Sequence, residues 1–209
     1  MSATSETEIC NIALTRIGHQ MIASLDENTK GAELCRLHYP RSRDALLRSH
    51  VWNFAISRAT LALDATTPNH EYTYRHALPT DCLKVIRTNW EADGTVGAAV
   101  YGFPGLVGSM DTPTPYRIEG RYLVCNETVA SIEYVARITD TAQFDELFTD
   151  CLAQRVAAEI GMALMDNQAA VKTLWDVYQA KVSEAMTVDS QEGTPRGIVD
   201  ASGWIRARV

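Results

Sequence analysis

The chain has 209 residues, of which 46% are hydrophobic and 22% charged, as in folded globular proteins rather than disordered ones. This length predicts one domain with an appendage, and a core that needs no metal or disulfide to fold. The net charge of −7 argues against a protein that coats DNA, because duplex affinity depends on neutralising phosphates. Five scattered cysteines predict reduced thiols in a cytosolic compartment, and no stretch is apolar enough to predict a membrane span.

The first 50 residues carry two apolar stripes with helical spacing. The first stripe predicts a helix from Glu6 to Gly18, capped by Thr4 or Ser5. The second predicts a helix from about Lys30 to His50. Because proline lacks an amide hydrogen, Pro40 predicts a kink or a break within this second helix.

The middle of the chain, residues 51–140, changes to short apolar runs separated by turn residues. Trp52 to Ile56 is predicted to be extended, and Ile118 to Arg121 to form a tight hairpin. The pattern predicts an inserted antiparallel β unit with one long Gly-rich loop at 94–110. The other predicted strands are 59–63, 72–74, 82–87, 116–118, 121–125 and 130–136.

Helical spacing returns in residues 141–192. Stripes from Phe144 to Leu164 and from Val171 to Met186, joined by a turn at Asp166-Asn167, predict an antiparallel helical hairpin. Together with the two N-terminal helices of residues 1–50, this hairpin predicts a four-helix bundle in a protein of the α+β class.

The last 17 residues, 193–209, follow linker-like sequence and are predicted to form an extended arm. Burial of Trp204 on a partner contributes about 2–3 kcal/mol, which is enough to dock an arm but not to fold it alone. A tail that packs back on its own subunit is the alternative. The candidate docking residues of the arm are Ile198, Val199, Trp204, Ile205, Arg206 and Arg208.

The negative charge is concentrated in residues 140–192, where ten acidic residues stand against three basic ones, whereas the rest of the chain is balanced. A solvated helix face explains this pattern without any function. The alternative is a surface that must not hold DNA, such as the wall of a channel through which DNA slides. The candidate acids of such a lumen are Asp145, Glu146, Asp150, Glu159, Asp176 and Glu184.

The second predicted helix contains four arginines. Arg36 with Arg43, and Arg41 with Arg48, each lie two turns apart and form two short basic stripes. We predict that these stripes pair with the acidic hairpin, in the same subunit or in a neighbouring one. Direct contact with DNA is the alternative.

No sequence motif predicts catalysis, a metal site or a cofactor. The chain has no C-x-x-C, no H-E-x-x-H, no P-loop and no G-x-S-x-G. Any two acids can form a hydrolase pair, and Asp81 with Glu91 is the pair considered for a hydrolase of polysaccharide or peptidoglycan. A regulatory DNA-binding protein is a further alternative, against which the net charge weighs.

Several short segments in the first 87 residues nevertheless form a recognisable series. They are Ile9-Cys10-Asn11-Ile12-Ala13-Leu14 running to Ile17-Gly18, Ile22-Ala23-Ser24-Leu25-Asp26-Glu27, the residues Cys35, Tyr39, Arg43-Asp44, Leu47-Arg48 and His50, then Trp52-Asn53-Phe54-Ala55, Tyr72-x-Tyr74 and Leu78-Pro79-x-Asp81-Cys82-Leu83. This series resembles the tail tubular protein A family, the head-to-tail adaptors of short-tailed T7-like bacteriophages and their relatives. Beyond Arg87 the resemblance is one of architecture.

The resemblance implies a structural protein of the virion neck, without enzymatic activity or a cofactor. The expected assembly is a ring, usually a dodecamer, between the portal protein and the tail nozzle or tail tube protein. Such a ring extends the channel for genome retention and ejection, and DNA passes through it without sequence-specific binding. The implied locations are the virion tail and, during assembly, the host cytoplasm.

Overall fold

The computed structural model describes residues 5–68, 70–88, 115–165 and 167–192. The predicted loop at 94–110 and the predicted arm at 193–209 lie outside these ranges. Within them the fold class is α+β, as predicted. The helices are α1 (Glu6–Arg16), α2 (Lys30–Ser49), α3 (Glu146–Leu164) and α4 (Gln168–Gln191), and the strands are β1 (Ile56–Thr60), β2 (Ala62–Leu63), β3 (Tyr74–Ala77), β4 (Cys82–Thr88), β5 (Tyr116–Glu119), β6 (Tyr122–Cys125) and β7 (Ser131–Ala136).

The helix ends are fixed by local side-chain caps. The Ser5 hydroxyl accepts a hydrogen bond from the Glu8 amide at 3.2 Å and begins α1, as the sequence predicts. Gly18, with φ at +69°, follows the end of this helix. Asp145 caps α3 and Asn167 caps α4, each by accepting hydrogen bonds from two backbone amides.

The second helix runs through Pro40 without a break, contrary to one of the two expectations for this residue. Pro40 lies on the exposed side of α2. The carbonyl of Arg36, which loses its helical partner there, is therefore on the side where solvent can hydrate it.

The prediction of an extended segment from Trp52 to Ile56 is wrong in its middle. Asn53–Ala55 forms one 3₁₀ turn, closed by a hydrogen bond from the Ala55 amide to the Trp52 carbonyl at 2.9 Å. Trp52 and Ala55 are both buried, and this spacing of three residues fits a turn rather than a strand.

The strands divide between two small sheets instead of one continuous unit. One sheet has the order β1-β7-β4, and the other has the antiparallel order β2-β3-β6-β5. The predicted hairpin joins β5 to β6, where Glu119 pairs with Tyr122 and Gly120 adopts φ of +61°. The positive φ at Gly120 favours glycine in this tight turn, because residues with a side chain rarely adopt it.

The described chain forms two compact units. The helical unit contains residues 5–57, 80–84, 134–165 and 167–192, and the β unit contains residues 58–68, 70–79, 85–88 and 115–133. In the helical unit, α3 packs against each of the other three helices, and its strongest packing partner is α4. The predicted helical assembly is therefore built around α3.

Candidate interaction surfaces

The two predicted basic stripes of α2 contain arginines in very different environments. Arg36 and Arg41 are exposed, and neither guanidinium makes an ion pair or a hydrogen bond with another residue of the described ranges. Arg48 is also exposed, and its guanidinium donates to the backbone carbonyl of Leu83. Arg36 and Arg41 are thus the two members whose charge is available to a partner.

Arg43 is buried, with only 6% of its surface exposed. Its Nε and Nη2 donate to Oδ1 of Asp44 at 3.0 and 2.8 Å, and its Nη1 lies 3.9 Å from Glu6. The second carboxylate oxygen of Asp44 accepts from Nε of Arg137 at 2.8 Å. Arg43 is therefore held inside the helical unit by Asp44 and Glu6, and not by the acidic hairpin with which the basic stripes were predicted to pair.

The sequence contained a signal for this burial. Arg43 lies four residues after Tyr39 and three before Leu46, and both are fully buried or nearly so. That spacing places all three on one side of a helix. The apolar stripe of α2 thus identifies Arg43 as a core-facing position and places Arg41 on the opposite side. It does not separate Arg43 from Arg36, which lies two turns earlier on nearly the same side of the helix and is exposed.

Asp150, one of the predicted lumen acids, instead joins three helices. Its carboxylate pairs with Arg16 of α1 and with Lys181 of α4, and Arg16 also donates to the Asp150 carbonyl at 3.0 Å. Burial alone would raise the pKa of Asp150, but the neighbouring ammonium and guanidinium outweigh it and hold the pKa below its usual range. The charge of Asp150 is satisfied within the helical unit.

Glu159 is likewise engaged inside the unit. It lies 3.6 Å from Nη2 of Arg155, one turn earlier in α3, and 4.0 Å from Nδ1 of His38 in α2. The same arginine donates to the Tyr178 hydroxyl at 3.0 Å and lies over the ring of Trp175, 6.0 Å from its centroid. Arg155 therefore contacts Glu159 on α3 and two aromatic residues of α4 at the same time.

The four other candidate acids are exposed. Asp145 serves as the cap of α3, accepting from the amides of Leu147 and Phe148 at 2.8 and 3.3 Å. Glu146, Asp176 and Glu184 have no ion pair or hydrogen bond with side chains in the described part of the chain.

An acid that sequence reasoning did not single out forms the most extensive contact at the end of α4. The side chain of Asp189 is only 11% exposed, and its Oδ2 lies 3.0 Å from Nε2 of His50. Its Oδ1 accepts from the Asn53 amide at 3.0 Å, and its backbone carbonyl accepts from Nδ2 of Asn53 at 2.6 Å. About 140 residues separate these partners, so no local pattern could have identified them.

An aromatic cluster involves the same segment that follows α2. Trp52 is 1% exposed, donates its Nε1 hydrogen to the Leu46 carbonyl at 2.9 Å, and meets Phe148 edge-on with a centroid distance of 5.2 Å. Phe54 contacts both Phe148 and Phe144. These rings fix the point where α2 leads into the first strand.

The loop between α1 and α2 is also held by specific contacts. The side chain of Asn11 donates to the Ile22 carbonyl at 2.9 Å and accepts from the Ile22 amide at 2.8 Å. Oε1 of Glu27 accepts from the amides of Ala23 and Ser24. Side-chain hydrogen bonds therefore fix the conformation of this loop within the helical unit.

The residues considered for hydrolysis do not form a described pair. Asp81 accepts a hydrogen bond from the Tyr134 hydroxyl at 3.2 Å, and burial together with this carboxylate raises the pKa of Tyr134. Glu91 lies outside the described residues. Within the described ranges, no group of three or more His, Cys, Asp or Glu side chains is arranged to hold a metal ion.

Two further predictions concern membranes and the C-terminal arm. None of the helices described by the structure is long and apolar enough to cross a membrane. The candidate docking residues of the arm, Ile198, Val199, Trp204, Ile205, Arg206 and Arg208, lie outside the described residues, so their role stays a prediction.

A scan of protein-family models and a search of curated proteins each found no match to this chain. The resemblance to tail tubular protein A therefore stays a prediction made from the segments quoted above.

Proposed function

We propose that this chain is a head-to-tail adaptor of tailed bacteriophages, a structural virion protein that forms a ring between the portal and the tail nozzle or tube. The ring extends the DNA channel, retains the packaged genome and lets it pass during ejection. This function requires no catalytic side chain, because the protein acts through its shape and through contacts with neighbouring proteins.

The observation that carries the proposal concerns the segments that resemble the adaptor family. In the structure these segments make the contacts that hold the helical unit together: Asn11 with Ile22 and Trp52 with Leu46. The His50 ring and the Asn53 amide of the same series meet Asp189 at the end of α4. The resemblance thus rests on residues that build the scaffold, as expected for a protein whose function is structural.

The charge distribution supports passage of DNA without adhesion. Glu146, Asp176 and Glu184 are exposed acids without side-chain partners in the described ranges, whereas Asp150 and Glu159 are used internally. An exposed acid suits either a channel wall or a contact with a basic surface of another subunit. The lumen role predicted for the hairpin therefore does not extend to Asp150 or Glu159, and each exposed acid is available to one of these two uses.

The decisive experiment locates the protein in particles. Antibodies against this chain are expected to label the neck of tailed particles from a culture that produces it, between head and tail. Antibodies against the major capsid protein of the same particles serve as the control for labelling of heads. Particles whose necks lack the chain would contradict the proposal.

A second experiment addresses the proposed arm. Replacing Trp204 and Ile205 with alanine is expected to weaken binding to purified portal about 30- to 150-fold, the equivalent of 2–3 kcal/mol of lost burial. Replacing Thr194 and Ser202 with alanine changes the same arm without removing apolar surface, so it should leave the affinity unchanged. Equal affinities for all three proteins would exclude the arm as the docking element.

A further inference from the structure

Two outward helix faces of the helical unit carry opposite charges. On α2, Arg36 and Arg41 flank Leu37, whose side chain is 51% exposed. We call these three residues the basic face. On α4 the acidic face consists of the exposed residues Asp176, Val177, Ala180, Glu184 and Val188.

Helical periodicity places the residues of each face on one side of its helix. With 100° per residue, Arg36, Leu37 and Arg41 span about 140° of α2, and the five members of the acidic face span about 120° of α4. Each face combines charged side chains with exposed aliphatic ones. This combination is common where a helix meets a protein partner.

Neither face is neutralised by the residues that the structure describes. The charges of Arg36, Arg41, Asp176 and Glu184 make no ion pair in the described ranges, although Arg16, Arg43, Arg155 and Lys181 of the same unit all do. The basic stripes were predicted to pair with the acidic hairpin of the same or a neighbouring subunit. Within the described ranges Arg43 pairs instead with Asp44 and Glu6, and the pairing of Arg36 and Arg41 with a neighbouring hairpin stays a prediction.

We propose that the basic face of one copy of this chain docks against the acidic face of a second copy. The proposal rests on the adaptor function, because each subunit of a ring must contact its two neighbours through two different surfaces. Charge complementarity identifies the occupant as another copy: the chain itself supplies the matching acidic surface.

The spacing of the charges is compatible with two ion pairs. At a rise of about 1.5 Å per residue, Arg36 and Arg41 are separated by about 7.5 Å along α2, and Asp176 and Glu184 by about 12 Å along α4. Long arginine side chains can span the difference. The small side chain of Ala180, between the two acids, leaves room for Leu37 to pack beside Val177.

Such a contact is weak in isolation. Exposed ion pairs contribute up to about 1 kcal/mol each and are screened by salt, so burial of the aliphatic side chains must supply most of the affinity. Because the two faces differ, association produces chains or closed rings of copies rather than symmetric dimers. The expected behaviour is salt-sensitive self-association that grows beyond the dimer as concentration rises.

The test is a set of charge reversals followed by sedimentation velocity at low and high salt. Reversing the basic face (Arg36→Glu with Arg41→Glu) or the acidic face (Asp176→Lys with Glu184→Lys) is expected to abolish self-association. An equimolar mixture of the two variants, or one chain with all four substitutions, is expected to restore it. The double variant Glu8→Lys with Asp26→Lys has the same net charge as the acidic-face variant and is expected to associate normally.

Several outcomes would overturn the proposal. A wild-type chain that is monomeric at low salt up to about millimolar concentration would contradict the proposal, because its contact would then be weaker than a dissociation constant of about 1 mM. Reversed variants that associate as the wild type does would exclude these faces. Duplex DNA binding that is lost only on reversal of the basic face, with self-association unchanged, would make DNA the occupant.

Cross-linking provides an independent readout. All five native cysteines are buried, so an introduced surface thiol is more accessible to oxidation than they are. A chain with both Leu37→Cys and Ala180→Cys is expected to give an oxidised ladder of dimers, trimers and larger species. An equimolar mixture of the two single-cysteine chains should stop at dimers. Absence of the ladder at concentrations where the protein associates would contradict the assigned faces.

These results are separable from the test of the adaptor function. Charge-dependent self-association with no label at the particle neck would leave the interface intact and reject the function. Labelled necks together with normal assembly of the reversed variants would retain the function and reject these faces.

Discussion

The two helices of the C-terminal hairpin carry three acidic residues each, but they use them differently. In α3, Asp150 and Glu159 both meet basic side chains from other helices or from their own. In α4 only Asp189 is engaged, whereas Asp176 and Glu184 have no ionic partner in the described ranges.

The position of each helix explains the difference. The third helix packs against the other three, so its polar side chains lie within reach of bases on α1, α2 and α4. The fourth helix packs chiefly on α3 and keeps a broad outward face. The location of an acid in the helical unit, and not the total charge of the hairpin, therefore decides whether the acid stabilises the fold or is available to a partner.

The largest expected effect is at Asp189. Its replacement by alanine removes the acceptor for His50 and for the Asn53 amide in a mostly buried site, and the expected loss of unfolding free energy is about 2–3 kcal/mol. The matched change on the same helix, Asp176→Ala, removes only an exposed carboxylate and should alter stability by no more than about 0.5 kcal/mol. Denaturant unfolding measures both.

The variant Asp189→Asn separates the loss of the charge from the loss of the acceptor oxygen. Asparagine retains an oxygen that can accept from the Asn53 amide, so its cost should be smaller than that of alanine. Equal stability of Asp189→Ala and Asp176→Ala would show that the α4 carboxylates do not differ as the structure indicates.

The sequence predicted those structural elements that are determined by residues close to them in the chain. The Ser5 and Asn167 caps, the apolar stripes and the Gly120 turn lie within a few residues of the structure that they produce. The fold class and most strand positions follow from such signals. The outcome at Pro40 was harder to predict, because it depends on which side of α2 meets solvent.

The partners of the charged residues were not predictable in the same way. Asp150 meets Arg16 across 134 residues, and Asp189 meets His50 across 139, so the choice depends on how the helices pack. The burial of Arg43 is the exception, since its spacing from Tyr39 and Leu46 gave a local signal. The candidate surfaces therefore had to be read from the structure, although their charge was evident from the sequence.

The next largest effect compares two arginines of α2. Arg43→Ala removes a buried guanidinium with two hydrogen bonds to Asp44 and the packing of its aliphatic stem, at an expected cost of about 1–3 kcal/mol. Arg36→Ala removes an exposed side chain and is expected to cost no more than about 0.5 kcal/mol. Thermal unfolding of the two variants in parallel separates them, and equal midpoints would refute the distinction between an internal and an available arginine.

The smallest effect tests the acid of α3 through its pH dependence. The pKa of Asp150 is lowered in the folded protein, so its ionised form adds stability above about pH 4, the unfolded value, and this contribution is lost as the pH falls through the folded pKa. Because the side chain is 39% exposed, each ion pair should contribute less than about 1 kcal/mol.

Asp150→Asn cannot titrate at this site, so the wild type should be more stable than the variant at pH 7 and lose most of that advantage between about pH 4 and pH 2. Asp176→Asn removes an exposed acid without an ionic partner and should track the wild type throughout. Urea unfolding at each pH gives the difference directly. A constant difference between wild type and Asp150→Asn would mean that the pairs with Arg16 and Lys181 do not stabilise the charged form, and α3 and α4 would then use their acids alike.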